Sequence, residues 1–258
     1  YLGSSTASSA LGPTSVMLNQ AGLTSLKPSP GADVRFYTAD HHWYDHFGVM
    51  RSQSSEGLRA DSHYNLYGLR WKLPHAGTLL INEVGYRLNA QNGSHMTWIR
   101  GGSVYNKTPY LDYNSDQYKS ETWSHYLAAT HQLTQSDPNQ PARGWYIDGK
   151  ANYAPKNRNV FMADASATLF SIGPFDSRPD DMVSFGVSYN KFSDDFKHYN
   201  QRHGKTADSF STTASMAYTL RLMHGIYWTN QVSWTHHPAP TPKEDDALNV
   251  ETQMVVNL

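Results

Sequence analysis

Segments of about ten to thirteen residues in this sequence alternate apolar with small polar side chains at a period of two. In MVSFGVSYNKF, residues 182–192, Val183, Phe185, Val187 and Tyr189 share one face of an extended chain; Ser184, Gly186, Ser188 and Asn190 share the other. Two folds accept such a strand. In a soluble sheet the apolar face covers a core and the polar face meets water. In a membrane barrel the apolar face meets lipid and the polar face lines a lumen.

The rest of the chain favours the barrel. Alternating segments lie at 33–40, 43–51, 63–73, 78–88, 95–106, 123–134, 144–154, 159–171, 182–193, 210–222, 225–236 and 247–258, which reads as an all-β, antiparallel chain of about twelve strands. PHAG (74–77), AQNG (90–93) and APKNRN (154–159) are short turn-like links, and longer polar loops fall at 107–122, 194–209 and 237–246. Part of 115–133 also has the pattern of a short helix. One parity is apolar along whole segments, as in Trp145, Ile147, Ala151 and Tyr153, or Phe161, Ala163, Ala165, Ala167 and Leu169. Such lengths exceed the five or six residues usual for sandwich strands and match the roughly 9–11 tilted residues that cross a bilayer. Trp145, Tyr153, Tyr189, Phe192, Trp228 and Trp234 crowd strand ends, where interfacial girdles belong.

Composition narrows the choice further. No run approaches the roughly 18 apolar residues of a membrane helix, so a closed barrel is the remaining way to satisfy every backbone group in lipid. With 21 basic and 22 acidic residues there is no electrostatic case for nucleic acid, and the absence of cysteine excludes disulfides and thiolate metal sites. YLGSSTASSALGP has neither the basic start nor the apolar core of a signal peptide, and no start methionine, so the expectation is a removed leader or the later part of a longer chain. At the other end NVETQMVVNL puts Val250, Thr252, Met254, Val256 and Leu258 on one face, as in a closing strand.

Several stretches, in order, resemble one family. SIGPFDSRPDDMVSFGVSYNKFSDDF (171–196), PGADVRF (30–36), INEVGYRLN (81–89), RGG (100–102), GWYIDGKANYAPKNRNV (144–160), VSWTHHP (232–238) and ALNVETQMVVNL (247–258) are similar to successive strands of the carbohydrate-selective porins of the OprB type. The resemblance implies a sixteen-stranded β-barrel, so about four N-terminal strands lie outside this sequence or the chain is a smaller relative. It implies one porin domain over 1–258 in the bacterial outer membrane, a passive path for mono- or oligosaccharides and other small hydrophilic solutes, and contact with outer-membrane lipid. General porins are often trimers, so a homotrimer is the expected assembly. The sequence departs from the family at Ile99 and Arg100, which leaves the facing of 95–106 open, and in ending on Leu258 rather than an aromatic residue.

A channel needs no catalytic group or cofactor; it needs a hydrated wall with hydrogen-bonding and aromatic groups. By parity the pore-lining candidates are Arg35, Glu83, Arg87, Asp148, Lys150, Asp164, Arg221, Glu251 and Gln253. Each is either a cross-strand charge pair that stiffens the wall or part of a constriction. Loop 107–122 is the constriction-loop candidate by length. Arg178, Asp180 and Asp181 lie between two strands and read as a turn held by arginine–carboxylate bonds. DHHWYDH (40–46) and His236–His237 carry ligand-type side chains without a complete metal motif. Two other functions remain open: a soluble β-sandwich that binds carbohydrate, and an outer-membrane barrel enzyme. For the latter, Ser124 with His125 and Ser233 with His236 supply residue types but no defined acidic partner.

Overall fold

The structure is a computed structural model that describes residues 29–241 and 245–256. Eleven strands form one antiparallel sheet: β1 (Gly31–Tyr37), β2 (Trp43–Arg51), β3 (Thr78–Leu88), β4 (Thr97–Asn106), β7 (Thr122–Gln132), β8 (Gly144–Tyr153), β9 (Phe161–Ile172), β10 (Met182–Phe192), β11 (Phe210–Met223), β12 (Ile226–His236) and β13 (Asp246–Val256). A hairpin, β5 (Tyr110–Asp112) and β6 (Gln117–Lys119), stands apart in the β4–β7 connection. Each strand of the large sheet pairs with the next one along the chain. β1 and β13 are its two edges, and they do not pair with each other among the described residues.

The alternation of the sequence becomes two chemically distinct faces. On β10 Val187 is 57% exposed, Phe185 and Tyr189 are exposed with it, and Ser184 on the opposite face is fully buried. Register carries the division across the sheet: Val187 lies between Ala167 and Ala214, and Ser188 between Ser166 and Thr213. No second sheet covers the apolar face among the described residues, which is incompatible with the sandwich alternative.

The polar face turns apolar near both ends: Tyr146 and Phe170 are buried and stack at 4.9 Å at one, and two clusters lie where the longer connections leave the sheet. There Leu79, Ile81, Val104 and Tyr126 are buried with Met50 against them, and Ala154, Phe161 and Phe192 form a second cluster. Phe161 and Phe192 therefore correct the sequence reading, which placed the first among the outward apolar residues of its strand and the second in an aromatic girdle. The register slips at Met162 on β9, between the pairs Lys191–Ala163 and Phe192–Phe161, which turns Phe161 off the apolar parity of its strand and onto Phe192, already on the face of Ser184 and Asn190.

Two helices also depart from the sequence reading. The expected strand at 63–73 is absent, and α1 (Leu58–Tyr64) precedes a turn there. Asp61 is drawn into a buried ion pair with Arg51 at 3.0 Å, Asn65 Oδ1 accepts from the Arg70 N–H, and Gly68 takes a left-handed φ of 76°, which together prevent extension. The polar segment after β10 forms α2 (Asp194–Arg202), where Ser193 Oγ accepts from the Phe196 N–H and Asp194 and Asp195 occupy the first turn. The short helix read within 115–133 does not form; β6 and β7 occupy that stretch. Residues 1–28 and Leu258 lie outside the described residues.

Candidate functional wall

All nine pore-lining candidates fall on the polar face, because the pairings carry one parity from β1 to β13. Arg35 aligns with His46, His46 with Glu83, Asn152 with Asp164, Gln231 with Glu251 and Thr229 with Gln253. They are spread along the sheet and do not form one cluster. Arg35 donates to His46 Nε2 at 3.2 Å and lies 3.3 Å from Asp33. Asp148 accepts from Thr130 at 2.7 Å and lies 3.7 Å from Lys150; Asp164 accepts from Asn152, and Glu251 from Gln231 at 2.5 Å. Arg35–His46, Thr130–Asp148, Asn152–Asp164 and Gln231–Glu251 cross between neighbouring strands, while Arg35–Asp33 and Lys150–Asp148 run along one. Gln253 stays exposed.

One group is different in kind. Trp98 and Arg100 project from β4 onto the polar face, with the Arg100 guanidinium 3.6 Å from the Trp98 ring centroid. Arg87, on β3 beside Trp98 and exposed, places its guanidinium 5.3 Å from the same ring. The Trp98 indole N–H donates to the Tyr44 hydroxyl at 2.9 Å, and Tyr44 donates to Glu83 Oε1 at 2.7 Å. Tyr126 donates to the other Glu83 oxygen at 2.5 Å. Glu83 is thus 2% exposed with a phenol hydroxyl on each oxygen. Arg100 is 1% exposed while Ile99 points the other way, which resolves the facing that the sequence left open. Sequence reasoning missed Tyr44, Trp98, Arg100 and Tyr126. No signal within one strand joins them, since it is the pairing of Gly85 with Arg100 that puts Arg100 on the face of Glu83 and Arg87.

At the opposite end from the longer connections, Arg178 reaches Asp181 through two bonds of 2.8 and 2.9 Å. Asp181 also accepts from the Tyr218 hydroxyl at 2.7 Å and the Arg221 N–H at 3.0 Å. Burial alone would raise the Asp181 carboxyl, but the bonds from Arg178 and Tyr218 outweigh it and hold it below its ordinary range. Arg221 pairs with Asp180 at 2.7 Å, so the turn claims this pore-lining candidate. Gly173, at a left-handed φ of 61°, leaves room for Arg143, whose guanidinium bonds the Gly173 carbonyl and Asp176.

At the other end Asp112 joins two connections. It accepts from Asn157 at 2.9 Å, from the N–H groups of Asn114 and Ser115, and lies 3.4 Å from Lys119. Tyr113 packs on Phe196 and Tyr199 of α2, and Asn114 donates to Asp195 at 2.9 Å. The constriction-loop candidate is therefore clamped to its neighbours. Burial pushes the Asp112 carboxyl up, yet its hydrogen bonds prevail and bring it down to about 2. A depressed carboxyl stabilises the fold fully above its unfolded value near 3.8 and loses that contribution as pH falls toward 2. We expect the 107–121 connection to resist an acid-active protease above pH ~4 and to become cleavable between ~4 and ~2. Asp112→Asn should abolish that pH dependence, and an unchanged acid transition in the variant would place its cause elsewhere.

Most of the residues weighed for other chemistry disperse, while the His236 and His237 rings stay 3.8 Å apart. Asp45 faces the apolar side and accepts from Asn82, His46 turns to the polar side toward Asp33, and His42 pairs with Asp40 in the preceding turn. Ser124 and His125 lie on opposite faces, with His125 bonded to Ser103; Ser233 is buried on the polar face, and His236 bonds Asp246. Neither Ser–His pair converges.

Residues 4–258 match the family model described as carbohydrate-selective porin, OprB family. No curated protein matches in sequence. Among solved structures the chain is similar to a high-pH structure of Pseudomonas putida OprB, with a TM-score of 0.72 at 18% identity, covering 88% of this chain and 58% of that one. A two-faced antiparallel meander and a family match over nearly all of its length place this chain in the OprB family of carbohydrate-selective porins.

Proposed function

We propose that the chain supplies wall strands of a bacterial outer-membrane channel for passive diffusion of sugars and other small hydrophilic solutes. In this reading the polar face borders the lumen and the apolar face meets lipid. The observation that carries it is the ledge formed by Arg87, Trp98 and Tyr44 on the polar face. A pyranose presents an apolar ring face to an aromatic surface and a rim of hydroxyls to a guanidinium, and the ledge offers both within one solute's width. Arg100 against Trp98 holds the indole in place, so the ledge is preorganised. Permeation needs attraction weak enough for release, which suits a single aromatic contact rather than an enclosed pocket. Membership of a family of carbohydrate-selective porins supports carbohydrate as the solute class.

The test is single-channel conductance in a planar bilayer at increasing glucose. We expect glucose to block the wild-type steps progressively. Trp98→Ala should weaken the block roughly 2- to 10-fold, the equivalent of ~0.5–1.5 kcal/mol for an aromatic stack. A channel indifferent to glucose would be a general diffusion pore, and an unchanged block in the variant would remove Trp98 from the solute path. Sizing of the detergent-solubilised protein tests the homotrimer expected of a general porin.

A further inference from the structure

INEVGYRLN and RGG contain two glycines that the channel reading leaves unexplained. Gly85 on β3 aligns with Tyr44 on β2, and Gly102 on β4 aligns with Tyr126 on β7. A Cβ on Gly102 would stand 2.5 Å from the Cε1, Cζ and hydroxyl of Tyr126, and one on Gly85 would collide with the same atoms of Tyr44. Each tyrosine ring thus lies flat across a glycine. Both hydroxyls then converge on Glu83, one on each carboxylate oxygen. Gly101 faces the other side of the same strand, where a Cβ would meet only ordinary contacts at 3.5 and 3.6 Å.

We infer that Gly85 and Gly102 are selectivity-determining positions: they seat Tyr44 and Tyr126 so that two phenols saturate Glu83 and withhold its carboxylate from passing ions. The inference rests on the polar face being the lumen. The atoms in the way are the far ends of side chains rather than backbone, so a methyl group at either glycine displaces a ring and leaves the strand in place. A displaced ring takes its donor away from Glu83. The carboxylate loses a dipole that offset its field and turns to water, so the negative potential where ions pass grows, which favours cations.

The experiment is the reversal potential of the full chain across a salt gradient, with folding checked by heat-modifiable migration in gels. Gly102→Ala and Tyr126→Phe should each raise the cation-to-anion permeability ratio by roughly twofold or more. Gly101→Ala should match wild type, and Gly102→Ala combined with Glu83→Gln should match Glu83→Gln alone. The inference is overturned if Tyr126→Phe, or folded Gly102→Ala, behaves like Gly101→Ala, or if the shift survives without the carboxylate. Should Gly102→Ala fail to fold, Tyr126→Phe decides by itself. A wild-type protein with no conductance would instead refute the channel reading.

Discussion

Val187→Arg destabilises the sheet by ~2–4 kcal/mol, while Ser188→Arg, one residue along, folds with near wild-type stability and alters conductance. Val187 sits near the middle of β10, exposed on the apolar face and flanked by Ala167 and Ala214, so an arginine there has no polar partner within its row. Ser188 is flanked by Ser166 and Thr213 on the polar face, where a guanidinium meets hydroxyls. Urea titration of both variants in lipid vesicles makes the comparison. Equal losses at the two positions would contradict the assignment of lipid to the apolar face.

The second large effect is expected in the 52–77 connection. Arg51 and Asp61 are 1% and 2% exposed and pair at 3.0 Å, and Arg51 also donates to the Ser52 carbonyl. Asp61→Ala leaves a buried guanidinium uncompensated, a change that typically costs about 3–5 kcal/mol. The site lies where the chain leaves the sheet, so we expect the connection to open locally while β3 to β13 stay paired. Limited proteolysis should cut the variant between 52 and 77 and spare the strands. Arg51→Met with Asp61→Leu should recover much of the protection, because an apolar pair of similar volume leaves no orphaned charge. Cleavage as slow as wild type in Asp61→Ala would show that the ion pair does not hold the connection.

Alternation alone located the strands of the large sheet, because one polar and one apolar face forces a period of two on every one of them. It failed at 63–73, where the spacing of Tyr67, Leu69 and Trp71 imitates a strand while a buried ion pair and a left-handed glycine impose a turn. The start of α2 is legible in Ser193, Asp194 and Asp195, a capping residue followed by acids, a signal that the polarity of the segment masks. Glu83 and Arg87 could be assigned a face, but not a role. Their roles depend on Tyr44, Trp98 and Tyr126, which arrive from β2, β4 and β7 through a register that no single strand encodes. On β4 the two adjacent glycines also left few side chains from which to read a face.

The order of strands bears on how such a sheet assembles. Every pairing in it joins strands that follow one another, apart from the β5–β6 hairpin that β4 and β7 bypass, so each hairpin can zip independently and then dock on its neighbour. The cost of closing each depends on its connection, at about 0.6 kcal/mol for every doubling in length. The 52–77 link is between three and four doublings longer than the turn at 224–225, a handicap of roughly 2 kcal/mol for joining β2 to β3. β11 and β12 are therefore favoured to form early, with β1 and β2 recruited late as a separate ribbon.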